Sequence, residues 1–463
     1  MGTNKDQAQA HQFMLQRVIS ALTVQEADPE QPPFRRPILA AIGGIVIGIL
    51  AMAGVWVFGL LVPGGDQFKD GDVIAVEEET GARYVLLNGK LHPVINYTSA
   101  LLALDKHAEV QMVSHATLAG LPVGPPIGIS GAPDSLPGKE QLLTAGWSMC
   151  NQSTVDDQGK SRDTPVLLVG QPPAQRDAAD GQALVVQSGG QKYVLYNGYR
   201  HPVSAGVDVA LELNKESMVS VDGTWLDTVP AGKPMEPIAL ATPGQPSTAV
   251  PGLSLVTGQL LEVGAIDGES GSVQKQYYLV LADQLRPITT LQASIQRVLG
   301  QYAEPPVAVD NRAMLNANLP APRRPTQDDP PPTRPPFVVV DNPDAAICAT
   351  FQPGNTVPTV SVGATLPASA LAAPGRPVRI AVPGGKAALI EVMTGPDANP
   401  GQGTYALVTD QGRLFPLGDQ QHVLQVLGLE GAVPVRITST LVDRVPRGES
   451  LNVEAARTPV ADD

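Results

Sequence analysis

The strongest pattern along the chain is a stretch with no charge. Ile38 to Val62 is 25 residues without a charged side chain. As a helix it spans about 37 Å, against the ~30 Å hydrocarbon thickness of a bilayer, which predicts one transmembrane helix at 37–63. A cleaved signal peptide fits badly, because its apolar region is only about 7–15 residues, lies near the start and ends at a small-residue cleavage site. Upstream, Met14, Leu15, Val18, Ile19 and Leu22 fall on one helical face, with Gln12, Gln16, Arg17 and Ser20 elsewhere. Residues 1–36 are therefore read as a segment carrying an amphipathic helix, which Asp28-Pro29 and Gln31-Pro32-Pro33 break before the apolar stretch.

Beyond residue 63 the pattern becomes short β-prone runs and turns, and it repeats. Arg83-Tyr-Val-Leu-Leu-Asn-Gly-Lys-Leu-His-Pro-Val94 returns as Lys192-Tyr-Val-Leu-Tyr-Asn-Gly-Tyr-Arg-His-Pro-Val203, with looser echoes at Tyr278–Ile288 and Tyr405–Leu417. Each copy reads as strand, turn, strand, helix. Asn88-Gly89 and Asn197-Gly198 are strong tight-turn signals; Ala282-Asp283-Gln284 and Asp410-Gln411-Gly412 stand in the later copies. Helices are expected at Thr98–Leu104, from Asp208 to Leu213, at Thr290–Leu299 and at Asp419–Leu427. Three copies close on Pro-x-Gly, at Pro122–Gly124, Pro230–Gly232 and Pro446–Gly448. A solenoid keeps a fixed period, whereas the gaps here are unequal and long enough to build a further domain.

The expected division is a cytoplasmic segment at 1–36, the membrane helix at 37–63 and a first repeat at 64–123. A central-domain segment follows at 124–180, then a second repeat at 181–233, a central segment and linker at 234–258, and a third repeat at 259–320. A Pro-rich linker and central segment fill 321–390, a fourth repeat 391–452 and a flexible tail 453–463. The linker signals are the Pro, Gly, Ser and Thr of Ala241–Gly252 and the prolines of Pro320–Pro336, the latter extended and semi-rigid.

Charge sets orientation. Arg35 and Arg36 precede the apolar helix, while Asp66, Asp70, Asp72 and Glu77-Glu78-Glu79 follow it. Basic groups favour the cytoplasmic side, so the N-terminus is expected inside and about 400 residues outside. The net charge of −14 lies entirely beyond residue 36, since residues 1–36 carry four basic and four acidic groups. An acidic body suits no phosphate backbone, which excludes nucleic acid as the expected partner. Aromatics make up only 4 % of residues, so the core must rest on Val, Leu, Ile and Ala. Within the helix Ala40, Gly44 and Gly48 recur every fourth residue, spacing that lets helix backbones approach; the alternative is that Gly is simply common in membrane helices. The amphipathic helix has little basic charge for anionic lipid, leaving the lipid surface and a packing partner both open.

Candidate chemistry is sparse. The repeated His92 and His201 are replaced by Arg286 and Phe415 in the later copies, which favours a structural role over catalysis. A phosphate-binding loop needs Gly-x-x-x-x-Gly-Lys-Ser/Thr. Gly138-Lys139 is followed by Glu140 and Gly385-Lys386 by Ala387, with Pro133 and Ile380 at the first-glycine positions. The run Gly128-Ile-Ser-Gly131 is one residue short of Gly-x-Ser-x-Gly, and no zinc-protease or EF-hand pattern occurs. Glu77–Glu79 reads as solvated strand-edge charge. No catalytic, cofactor-binding or metal-binding residue is assigned. The two cysteines, Cys150 and Cys348, both lie on the expected outer side, where a disulfide is favoured over two free buried thiols.

Together these features resemble EccB, the single-pass membrane component of the type VII (ESX) secretion machinery of actinobacteria. The most specific residues are Tyr84–Ala100, Ile127-Gly-Ile-Ser-Gly-Ala-Pro133, Cys150 soon after Trp147, and Phe13–Leu22 before the membrane helix. The resemblance implies a mainly β fold with short helices (α+β): a single transmembrane helix, then an elongated ectodomain of four small repeat domains around a central β-rich domain. It implies that one disulfide, on Cys150 and Cys348, pins that ectodomain. Implied partners are an FtsK-like ATPase (EccC), EccD, EccE and a mycosin protease, with membrane lipid and homo-oligomeric contacts through the ectodomain. ATP enters as a cofactor only if the ATPase label some family names carry applies. One departure stands out: Gln25, Glu26, Asp28 and Glu30 replace a basic run that the family often has after its cytoplasmic helix. Three functions are weighed: a structural secretion-complex subunit first, then an envelope-binding module, then an ATP-hydrolysing component.

Overall fold

The computed structural model describes residues 4–23, 35–61, 72–155, 161–177, 181–266, 273–340, 345–371 and 378–460. These divide into two compact units. The first holds helices α1 (Asn4–Thr23) and α2 (Arg35–Leu61), with residues 77–80 and 112–121; the second holds the rest. Leu39–Val57 of α2 is long and apolar enough to cross a membrane, with a mean hydropathy of 2.3. The end of the expected span at 62–63 lies outside the described residues.

Every repeat is a four-stranded sheet in which the strands lie third, second, first, fourth. The first strands are Ile74–Glu77, Leu184–Ser188, Leu260–Ile266 and Ala387–Met393. The hairpin recognised in the sequence supplies the second and third strands. A helix then crosses the sheet, and a short fourth strand returns parallel to the first in the second, third and fourth copies. The crossover places helix and core on one face, as parallel pairing demands. The unit is thus two strands larger than the sequence reading. The fourth copy begins at Ala387 rather than 391, because its first strand opens on Ala387-Ala-Leu389, residues with little β preference.

The helices form where local chemistry allows. Tyr97–Leu104 is capped by Asn96, whose side chain accepts from Ser99 N–H, so the cap lies two residues before the expected Thr98. Thr290–Leu299 and Gln420–Val426 are capped by Thr289 and Asp419. The expected second-copy helix breaks after Val207–Ala210: Glu212 has φ +55°, and a short 3-10 turn, Leu213–Lys215, follows.

The intervening segments build a six-stranded central sheet from residues 147–155, 161–168, 174–177, 346–351, 359–365 and 379–381. Side chains alternate between its faces. Trp147, Met149, Leu167 and Ala349 share one core with Val186 and Trp225 of the second repeat and Ile390 and Val408 of the fourth. Cys150, Val166, Cys348 and Ala364 face the other way, into a smaller cluster.

The repeats pair in a nested order. The first and fourth share a core of Val85, Leu101 and Leu102 with Leu407, Phe415 and Val423. The second and third share Val194, Val203 and Leu211 with Leu291 and Ile295.

One expected linker and most of the expected tail are ordered. Ala241–Gly252 contains a strand, Pro246–Ser247, and buries Ala249 and Val250 in the core of the third repeat, so it belongs to that repeat. Residues 453–460 are not a flexible tail. Val453–Ala456 is a helical turn, Arg457 Nε donates to Ala103 O at 2.8 Å, and Val460 N–H donates to Pro126 O at 2.9 Å. Apolar Leu451 and Ala456, both fully buried, carry this segment onto the first repeat. Residues 461–463 lie outside the described residues.

Candidate functional site

The repeated motif builds a clasp. Asn88 and Gly89 have φ +51° and +73°, and Asn197 and Gly198 +50° and +77°, the left-handed pair that a two-residue turn matching strand twist requires. Gly198 has a second constraint: a Cβ there would lie 2.4 Å from Pro358 O. The turn delivers the third strand, Lys90–Pro93 or Tyr199–Pro202, with its outer edge turned away from the second strand.

A strap covers that edge. Leu91 N–H donates to Pro122 O and Gly124 N–H to Leu91 O; Arg200 and Leu414 make the same pairs with Pro230–Gly232 and Pro446–Gly448, all at 2.7–2.9 Å. Three residues after each glycine, Ile127, Met235 and Leu451 donate to the carbonyls of Pro93, Pro202 and Pro416. The Pro-x-Gly closures noted in the sequence are therefore the first half of a Pro-x-Gly-x-x-aliphatic strap.

Each glycine lies under an aromatic ring. A Cβ on Gly124 would sit 2.3 Å from His92 Cε1, on Gly232 2.4 Å from His201 Cε1, and on Gly448 2.3 Å from Phe415 Cε1. Only glycine lets the strap pass so close to the ring. His92 Nδ1 lies 3.0 Å from Pro125 O, and His201 Nδ1 2.9 Å from Lys233 O, so each Nδ1–H donates to the strap. His201 is fully buried, and its Nε2 has no hydrogen-bond partner among the described residues. Burial pushes its pKa below the ordinary value, against the Lys233 carbonyl and the nearby Asp328 and Asp329.

Other polar groups work as fastenings. Lys233 reaches Asp329 at 2.7 Å; burial would raise the Asp329 pKa, but Lys233, the Thr326 N–H and Arg323 outweigh it and hold the carboxyl well below the usual carboxylate range. Trp225 Nε1 donates to Met149 O at 2.8 Å, fixing the second repeat to the central sheet. His422 Nε2 meets Asp105 Oδ1 at 2.5 Å between the fourth and first repeats, and Asp105 raises the histidine's pKa. Glu77 is not solvated strand-edge charge: it is buried and paired with Thr80 and His115, while Glu78 and Glu79 are exposed. The Thr80 hydroxyl and then His115 lower its pKa, and Glu77 raises that of His115.

Cys150 and Cys348 are bonded between adjacent strands of the central sheet, 198 residues apart in sequence. Ala40, Gly44 and Gly48 are exposed on α2, with open space beside both glycines. A cavity of about 370 Å³ in the fourth repeat is lined by Val392, Ala406, Leu414, Gln402 and Arg447 among others, and no carboxylate or imidazole lines it. Among the described residues, no cluster of His, Cys, Asp or Glu could hold a metal ion. The clasp contacts position segments of chain against one another.

Residues 2–461 match the model of the family described as type VII secretion system ESX-1, transport TM domain B, that is, EccB. The chain belongs to the EccB family. "ESX-2 secretion system ATPase EccB2" of Mycobacterium tuberculosis (strain H37Rv) is 27 % identical over 310 residues, covering 65 % of this chain and 60 % of the relative. This chain therefore spans less than two thirds of that relative's length. "ESX-3 secretion system ATPase EccB3" of the same strain is 25 % identical over 450 residues, covering 90 % of this chain and 81 % of the relative. Among solved structures, a chain of an intact ESX-5 inner membrane complex aligns over 100 % of this chain and 96 % of its own length. Its TM-score is 0.65 at 22 % identity. A chain of the EccB3 dimer from the ESX-3 core complex aligns over 83 % and 100 %, with TM-score 0.64 at 22 % identity. Both show that this chain shares the fold of those chains.

Proposed function

We propose that this EccB-family chain is a structural, single-pass membrane subunit of a type VII secretion complex. Helix α2 crosses the membrane with Arg35 and Arg36 on the cytoplasmic side, and the paired repeats form a scaffold outside. The observation that carries the reading is the family match over residues 2–461, which takes in α1, α2, the four repeats and the central sheet together. The nested pairing supports it, because the second and fourth repeats share one core with the central sheet. EccC, EccD, EccE and a mycosin are the partners we assign, and a second copy of the chain is a further one. The relative named above as a dimer favours that last contact. Ala40, Gly44 and Gly48 are assigned to helix packing within the complex.

The test is purification of the tagged full chain from native membranes in mild detergent. Co-purification of the other membrane components is expected, and recovery only as a free monomer would sink the proposal. Some relatives are named ATPases, which keeps one second reading in play. No described part of the chain carries a phosphate-binding loop, so the detergent-purified chain is expected to hydrolyse ATP no faster than a mock preparation. Hydrolysis abolished by mutating this chain would establish the second reading instead.

A further inference from the structure

The third repeat lacks half of its strap. Leu285 N–H donates to Asn318 O at 2.8 Å, as Leu91 does to Pro122, so the strap begins in register. The next position that donates in the other copies is a glycine; here it is Pro320, which has no N–H to give to Leu285 O. The chain then departs, and it returns only at Pro332, whose carbonyl accepts from Leu291 N–H at the start of the helix. No described residue stands where Ile127, Met235 and Leu451 stand. The Pro287 carbonyl and the Thr289 N–H, the counterparts of the groups that bind Ile127, have no backbone partner among the described residues. Exposure agrees: Pro93, Pro202 and Pro416 are half-buried, whereas Arg286 and Pro287 are exposed. Leu319, the last residue before the break, is 44 % exposed.

We propose that the edge at Leu285–Thr289 is a docking site for an extended segment of another protein, added as a parallel strand with an aliphatic residue over Ile288. The three filled copies define the occupant. Gly124-Pro-Pro-Ile127, Gly232-Lys-Pro-Met235 and Gly448-Glu-Ser-Leu451 all reach this position with an aliphatic residue that donates N–H to the proline carbonyl. In the first, second and fourth copies that same residue accepts from the residue two beyond the proline: Ile95, Ser204 and Gly418. A parallel segment satisfies both open groups at once. The same edge of a second copy does not. Two-fold antiparallel pairing centred on Pro287 sets proline against proline, where neither has an N–H. Arg286 replaces the ring of the other copies, so no glycine is needed beneath it. Strand addition of this kind takes affinity from main-chain bonds and specificity from the side-chain positions.

The experiment uses the full chain in detergent and a fluorescent peptide of residues 124–131, Gly-Pro-Pro-Ile-Gly-Ile-Ser-Gly. Saturable binding is expected, with at least tenfold loss for the peptide carrying aspartate in place of its first isoleucine. A photo-crosslinker at that isoleucine should mark the tryptic fragment Gln276–Arg297. Thr289→Pro and Thr289→Ala both remove the hydroxyl that caps the helix, but only the first removes the N–H. Thr289 has φ −75°, which proline accepts. Thr289→Pro should weaken binding about tenfold relative to Thr289→Ala. Absence of saturable binding, equal binding by the two variants, or crosslinks falling on the straps of the other repeats would each overturn the proposal.

Discussion

His201 and Phe415 occupy the same place in two copies of one unit and do so with different chemistry. Both rings are fully buried, and both lie on the glycine of a strap. His201 anchors its ring by donating to Lys233 O, yet leaves Nε2 with no partner among the described residues. Phe415 makes no such bond and leaves nothing unpaired. The shared requirement is therefore a flat ring against a bare backbone. The hydrogen bond is an addition in the copies that carry histidine, and it introduces a titratable group into a core. This is why comparison among copies argued against catalysis: a general base cannot be exchanged for a phenyl group, whereas a packing ring can.

The comparison breaks most readily at the glycines. Gly448→Ala forces a methyl group into a buried phenyl ring and should cost about 3 kcal/mol, seen as a lowered unfolding temperature. Gly232→Ala should cost about as much, and Gly124→Ala less, because His92 is only half-buried and its ring can swing aside. Phe415→His comes next, at about 2 kcal/mol, since it buries a polar ring at a site not arranged to receive it. The reverse change, His201→Phe, removes the orphan Nε2 but strands the Lys233 carbonyl, and should fall within about 1 kcal/mol of the parent. A cost for His201→Phe as large as that for Phe415→His would show that the bond to Lys233 O, rather than the shape of the ring, holds the second strap. Thermal unfolding of the purified chain, monitored by near-ultraviolet circular dichroism, measures each of them.

The hairpins were legible because Asn-Gly turns and Tyr-Val-Leu runs carry their own geometry. The membrane-length helix was legible from length and missing charge alone. The first and fourth strands of each repeat were not, because Ala387–Met393 looks like helix by composition, and strands as short as Met218–Ser220 carry no period. Ala241–Gly252 was misread because proline and glycine mark where regular structure usually stops, although here they flank a short strand, Pro246–Ser247. Residues 453–460 were misread because a chain end reads as frayed, although Ala456 is buried against the first repeat. The ring-and-glycine contact left a trace in the sequence: His, His and Phe occur in the three copies that have Pro-x-Gly, and Arg in the one that does not. Read as covariation between copies, that trace would have located the clasp.

The smallest effect sharpens the comparison through pH, because two histidines of the repeats, buried His201 and half-exposed His422, titrate with opposite sign. His201 is held below its ordinary pKa, chiefly by burial. Its contribution is complete above the unfolded value of about 6.5 and is lost as pH falls toward the depressed folded value. His422 is held above its ordinary pKa by Asp105. Its contribution is complete below about 6.5 and is lost as pH rises through the raised folded value. In the parent chain the two therefore oppose each other on acidification, while His115, raised by Glu77, acts in the same sense as His422 and is common to all three proteins. His201→Phe should leave the His422 response alone, so that the variant gains stability relative to the parent as pH falls from 7 to 5. His422→Gln should do the reverse and steepen the acid loss. Unfolding temperatures of the three proteins, measured at half-unit steps of pH, test this. Parallel curves would mean that neither ring changes its charge in this range, and the clasp would then be insensitive to protonation in the second repeat as it must be in the fourth.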